Sequence, residues 1–155
     1  MWTRHLSNAD ETQSLGRAIG KLAGHGTVVA LVGDLGAGKT TLAQGVGDGL
    51  GVGTPIVSPT FILLAEYEDG RVPLLHGDTY RLEEVELEGI GLEETIECWP
   101  GVVLLEWADR FPDLLPSDHL QVCLQHLDDG RVVIIKAMGP KHETLLKQLM
   151  ELANE

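Results

Sequence analysis

The chain is short of positive charge. Its 155 residues carry 11 lysines and arginines against 24 aspartates and glutamates, for a formal charge of -13. A field of that sign repels nucleic-acid phosphates unless the bases gather on one face. The sequence gives no sign of such gathering: only Arg4, Arg17 and Lys21 precede Lys39, and Arg81 and Arg110 enclose 28 residues with neither Lys nor Arg. Direct binding of tRNA or DNA is therefore not expected. Glu83, Glu84, Glu86, Glu88, Glu93, Glu94 and Glu97 crowd into that gap. They read either as a solvated helix face or as a docking surface for a basic partner. Cysteine is scarce too. Cys98 and Cys123 form no CxxC pair and are expected to be buried small hydrophobes, neither bridge nor metal ligands. No stretch approaches the roughly 20 apolar residues that span a bilayer. The opening MWTRHLSNADET has no apolar signal core, so no membrane association and a cytoplasmic location are expected.

What remains is ordinary for a folded soluble protein: 43% hydrophobic, 23% charged and 5% aromatic residues, far from the composition of a disordered chain. A single domain over residues 1–155 is expected, burying roughly two-thirds of its unfolded surface. Leu15, Ala18, Ile19, Leu22 and Ala23 share one face of a helix beginning near Asp10, with Asn8 or Asp10 as N-cap and Gly24 or Gly26 as stop. Thr27 to Val32 is a β-branched run bounded by glycines, the pattern of a parallel strand covered on both faces. A helix from Lys39 to about Leu50 follows, then a break rich in glycine and proline from Gly51 to Pro59 that reads as an active-site loop. Phe61 to Tyr67 and Val72 to His76 read as strands joined in a hairpin at Asp69-Gly70. Glu83 to Glu97 reads as an acidic helix interrupted at Gly89 and Gly91, and Val102 to Leu105 as another buried strand. Leu120 to Leu124 and Val132 to Ala137 suggest a second hairpin, and a closing helix after Pro140 places Leu145, Leu149 and Leu152 on one side.

The most specific motif is Gly33-Asp34-Leu35-Gly36-Ala37-Gly38-Lys39-Thr40, a match to G-x-x-x-x-G-K-[ST]. Its position after a buried strand and at the head of a helix is the geometry that phosphate binding requires. Glycines let successive backbone N–H groups point inward, and the helix N-terminus adds partial positive charge. Lys39 would reach the β- and γ-phosphates of a nucleoside triphosphate, and the Thr40 hydroxyl would meet magnesium, a hard cation that prefers oxygen ligands. A phosphate-bound magnesium also calls for a carboxylate at the end of a neighbouring buried strand. Two candidates stand there: Glu106 after Val102-Val103-Leu104-Leu105, and Asp78 after Leu74-Leu75-His76-Gly77. Glu106 has the better apolar run and is assigned the magnesium, through a water; Asp78 is assigned the orienting or deprotonation of the attacking water. Ser58 and Thr60, in Ser58-Pro59-Thr60-Phe61, have hydroxyls able to contact the γ-phosphate. His76 reads as a satisfied buried histidine, Trp107 as a core or cleft aromatic, and His119 and His126 lack ligand spacing, so no zinc site is expected. The fold class is α/β, a P-loop NTPase fold of three layers with a central mixed, mostly parallel sheet.

Taken together, GDLGAGKTT (Gly33 to Thr41), SPTF (Ser58 to Phe61), the H-x-D-x-Y-R element (His76, Asp78, Tyr80, Arg81), Gly91 with Glu94, and LLEW with a following acid and arginine (Leu104 to Arg110) resemble the TsaE family, also called YjeE. These are small bacterial ATPases required for threonylcarbamoyladenosine synthesis on tRNA that decodes ANN codons. The likeness runs over almost the whole chain. It implies ATP in the pocket with ADP as product, bound by Gly33, Asp34, Leu35, Gly36, Ala37, Gly38, Lys39, Thr40 and Thr41. It implies Thr40 and Glu106 near magnesium, Asp78, Lys39 and Glu106 in catalysis, and Ser58 to Thr60 as a switch-like loop. Thr12 and Arg131 match family positions near the nucleotide base. The family acts on the TsaB and TsaD proteins and not on tRNA itself, which suits the acidic charge. This chain has Gly77 and Thr79 where larger apolar residues are common, and Asp109 where glutamate is common.

Three other functions compete. A small-molecule P-loop kinase would use the same loop but should carry an arginine-rich lid; here Arg81 and Arg110 are the only arginines between Arg71 and Arg131. A GTP switch protein should carry an NKxD element, which the sequence lacks. A structural subunit that binds nucleotide without turnover is the third. The expected activity is a magnesium-dependent ATPase, slow alone and stimulated by its partners.

Overall fold

The apolar run at Val28 becomes the middle strand of a seven-stranded sheet. The computed structural model describes residues 1–33, 38–56, 64–78, 91–106 and 114–153. In chain order it contains β1 (Trp2–Leu6), α1 (Ala9–Leu22), β2 (Val28–Gly33), α2 (Lys39–Gly49), β3 (Leu64–Tyr67) and β4 (Leu74–Asp78). After these come α3 (Leu92–Cys98), β5 (Val102–Glu106), β6 (His119–Leu127), β7 (Gly130–Met138) and α4 (Pro140–Ala153). The spatial order is β1-β7-β6-β2-β5-β4-β3. β6, β2, β5 and β4 run parallel, while β1, β7 and β3 pair antiparallel at the two sides. The fold is thus α/β with a mixed sheet, parallel at its centre. Among the described residues no helix is long and apolar enough to cross a membrane.

Alternation along the strands divides the core in two. Val29, Leu31, Leu74, Val102 and Leu104 face α1, α2 and α4, whereas Val28, Ala30, Leu75, Val103 and Leu105 face α3 with its Leu92 and Ile96. α1 begins where expected: the Asn8 side chain accepts the Glu11 N–H at 2.9 Å, and Glu11 in turn accepts from the Ser7 N–H. The first bond satisfies an N–H group that a helix start leaves open, and the second ties the residue before the cap to the first turn. α1 and α2 meet through glycine. A Cβ on Gly16, Gly20, Gly45 or Gly49 would lie under 3.0 Å from a backbone carbonyl oxygen of the opposite helix, so only hydrogen at these positions permits the approach.

Several expectations are corrected. β1 had no counterpart in the sequence reading; Thr3, Arg4 and His5 are exposed on this edge strand and hide its pattern. β3 and β4 form the antiparallel hairpin expected around Asp69-Gly70, with Tyr67 opposite Leu74, but its second strand starts at Leu74 and not at Val72, so the connection is longer than a tight turn. Asp69 is bound by the Gly53 and Thr54 N–H groups and the Thr54 hydroxyl, and the Arg71 guanidinium donates to the carbonyls of Gly20, Lys21 and Ala23. The second hairpin is tight, with Leu127 opposite Gly130. Cys98 is exposed, not buried, and Cys123 is half-buried. Cys98 ends α3 away from the Leu92 and Ile96 stripe. In α4, Leu145 and Leu149 are buried but Leu152 is 37% exposed. The acidic segment 83–90 lies outside the described residues, and Glu93, Glu94 and Glu97 form part of α3.

α4 is held to the centre of the sheet by a histidine. His142 is buried; its Nδ1 lies 2.6 Å from Asp118 Oδ1, and its Nε2 accepts the Val28 N–H at 3.0 Å. Asp118 also accepts the N–H groups of Lys141 and His142 and so caps the helix. Burial lowers the His142 pKa from its ordinary 6.5, against the raising effect of the Asp118 hydrogen bond and charge and with small lowering effects from Lys141 and His119. Burial acts on Asp118 in the raising direction, but its hydrogen bonds from His142 and Lys141 leave its pKa below the ordinary 3.8.

Two outcomes follow from this packing. Gly45→Ala should destabilise the chain by about 1–3 kcal/mol, the usual scale of overpacking, whereas Gly24→Ala, which meets nothing within 4 Å, should not. Equal denaturation midpoints for the two variants would contradict the close helix contact. For His142, the unfolded chain binds more protons between the lowered folded pKa and 6.5, so its contribution is complete above that value and declines as pH falls through the folded pKa. Asp118 loses its contribution only at lower pH, below 3.8. Urea midpoints from neutral pH to about 5 should therefore fall more steeply in the parent chain than in His142→Gln. Identical pH profiles would remove His142 from the account.

Candidate functional site

The register of three parallel strands assembles the site. Leu31 on β2 stands beside Glu106 on β5, and Glu106 beside Asp78 on β4. Glu106 has the parity of Leu104, and Asp78 and His76 that of Leu74, so all three belong to the face covered by α1 and α2. They lie at the C-terminal ends of the parallel strands, where α/β sheets of this kind bind ligands. α2 starts at the same edge. Its N-cap is Gly38 at φ 103, a left-handed conformation, and this residue offers no side chain to cap the first turn. The N–H groups at such a helix start, with the helix dipole behind them, suit an anion.

Lys39 is 7% exposed, and its Nζ donates to the Gly33 carbonyl at 2.8 Å, bridging the end of β2 to the start of α2. Thr40 and Thr41 occupy the same first turn and are half-buried. Arg131 enters from β7: a Cβ on Gly38 would meet its Nη1 at 3.0 Å. Its buried Nε has no hydrogen-bond partner among the described residues. The structure thus places Arg131 beside the glycine of the loop. Glu106 is 2% exposed and His76 fully buried, with His76 Nε2 2.6 Å from Glu106 Oε2. Asp78 is half-buried at the strand end.

Gly33, Gly38, Lys39, Thr40, Thr41, Asp78, Glu106 and Arg131 therefore converge on one edge of the sheet. Thr12 is fully buried in the first turn of α1, where its hydroxyl donates to the Asn8 carbonyl at 3.3 Å. Asp34, Leu35, Gly36, Ala37, Ser58, Thr60 and Trp107 lie outside the described residues. The sequence reading gave His76 little weight. A clue was present: His76 and Asp78 are two apart on a strand and must share a face. Among the described residues the polar set consists of backbone N–H groups, two cationic side chains, two hydroxyls, two carboxylates and the His76 imidazole beside one of them. It fits the chemistry of a phosphorylated ligand with a hard cation, which prefers oxygen donors.

A central parallel strand that runs through a G-x-x-x-x-G-K-T turn into a helix defines the fold as that of the P-loop NTPases. Residues 6–133 match the family model described as Threonylcarbamoyl adenosine biosynthesis protein TsaE. A tRNA threonylcarbamoyladenosine biosynthesis protein TsaE from Nostoc is 48% identical over 128 residues, covering 81% of this chain and 78% of the relative. The protein of that name from Bacillus subtilis is 41% identical over 143 residues, covering 92% and 89%. The crystal structure of Bacillus subtilis YdiB superposes with a TM-score of 0.82 at 33% identity, over 98% of this chain and 95% of that one. The chain belongs to the TsaE family.

Proposed function

We propose that the chain binds ATP with magnesium at the β2–α2 junction and hydrolyses it to ADP during threonylcarbamoyladenosine modification of tRNA, acting on the TsaB and TsaD proteins. The observation that carries this reading is the convergence of Lys39, Glu106 and Asp78 on one face of one sheet edge. In the proposal, the backbone of residues 33–38 and the first turn of α2 cradle the phosphates, and Lys39 supplies the compensating cation. Arg131 adds a second positive group beside Gly38. Thr40 and Glu106 would hold magnesium, which when bound neutralises charge on the phosphate oxygens. Asp78, beside Glu106 in register, holds or takes a proton from the attacking water.

Partner dependence follows from charge. A chain of charge -13 is poorly suited to tRNA phosphates, which favours a protein partner as its target. Residues 51–56, though rich in glycine and proline, are already held, with Val52 and Ile56 buried and the Gly53 and Thr54 N–H groups on Asp69. In the proposal a bound partner adds a cation at the transition state. In other phosphate-loop enzymes an arginine supplied in trans is worth about three to five powers of ten.

Lys39→Ala should weaken ATP binding by about 10-fold to 150-fold, the equivalent of 1.5–3 kcal/mol for a charge-assisted contact. Fluorescence titration with a labelled nucleotide measures this, and undiminished affinity would remove the loop from the mechanism. The two acids should differ in kind. Glu106→Ala should weaken magnesium-dependent binding, while Asp78→Ala should bind normally and lose turnover; magnesium titrations with the reverse pattern would exchange their roles.

A further inference from the structure

The histidine under Glu106 is poorly explained as packing. His76 is fully buried on β4 with Leu74 on its own face and Leu104 beside it in register. Its Nε2 lies 2.6 Å from Glu106 Oε2, and its Nδ1, equally buried, has no partner among the described residues. Leaving a buried polar atom unmatched costs free energy that an apolar side chain at this position would not incur. The one hydrogen bond made in return goes to the carboxylate assigned to the cation. Glutamate reaches that position through three rotatable bonds, and freezing them beforehand leaves less ordering to be done when ligand arrives.

We infer that His76 is the positioning residue of Glu106: its Nε2–H fixes Oε2 and thereby sets how the carboxylate meets magnesium. This rests on the reading of Glu106 given above. Fully buried, His76 acts through Glu106, as outer-shell partners do at other metal sites. Asp78, two residues further on the same strand face, carries out its task separately.

The test uses the full chain and its His76→Leu, His76→Gln and Glu106→Gln variants. The affinity for a fluorescent ATP analogue is measured against magnesium concentration and again in EDTA, with urea midpoints as a check on folding. His76→Leu should raise the magnesium concentration for half-maximal effect by about 10–100-fold, the usual consequence of losing an outer-shell partner, with affinity in EDTA unchanged. His76→Gln should recover most of the shift, because its amide N–H reaches the place of Nε2. Wild-type magnesium dependence in His76→Leu overturns the inference. So does a shift that glutamine fails to recover, which marks a packing role. Unchanged magnesium dependence in Glu106→Gln instead overturns the reading of the site itself. If His76→Leu does not fold, imidazole nitrogen NMR of the parent chain decides: the His76 Nε2 resonance should move when magnesium joins bound nucleotide. An unmoved resonance overturns the inference.

Discussion

A parallel register that sets Leu31 beside Glu106 and Glu106 beside Asp78 brings three strand ends to one level, and the charged groups take their height from it. Because side chains alternate across a strand, a slip of one residue in β5 would turn Glu106 toward α3 and replace it with an aliphatic neighbour. The register is secured by the two apolar layers, one under α1, α2 and α4 and the other under α3. Core packing and site geometry are therefore one constraint. A sheet that buries Leu104 and Leu105 on opposite faces has no freedom left in where it puts Glu106.

Burying the acid creates the next demand. A carboxylate 2% exposed is costly without partners, and His76 provides one from the adjacent strand. The cations stand on the other side of the site: Lys39 bound to the Gly33 carbonyl, and Arg131 against Gly38. α2, which carries Lys39 and Thr40, is held by its glycine contact with α1. α4 is tied to β2 through His142 and the Val28 N–H. The helices that cover this face are thus fixed to the same central strand that feeds the loop.

Much of this was legible in the sequence, for identifiable reasons. The β-branched run before Gly33 and the glycine-rich turn after it announce a buried strand and a helix start, and both appear at β2 and α2. Glu106 and Asp78 could be named because each closes an apolar run. Their adjacency could not, since it depends on β5 lying between β2 and β4. The His76–Glu106 pair spans 30 residues of sequence and exists only through that strand order. β1 was missed because its outward residues are polar and charged. Asp69-Gly70 marked the β3–β4 hairpin correctly, but the length of its connection was hidden because it depends on tertiary bonds from Gly53 and Thr54 to Asp69.

The central claim is that this sheet edge forms an ATPase whose turnover belongs to a partner complex. Phosphate release from ATP, measured for the chain alone and with a TsaB–TsaD preparation over a saturating concentration range, tests it most directly, with Asp78→Ala as the blank. The account predicts slow release by the chain alone and a marked rise with the complex, absent in the blank. Equal rates with and without the complex would contradict it.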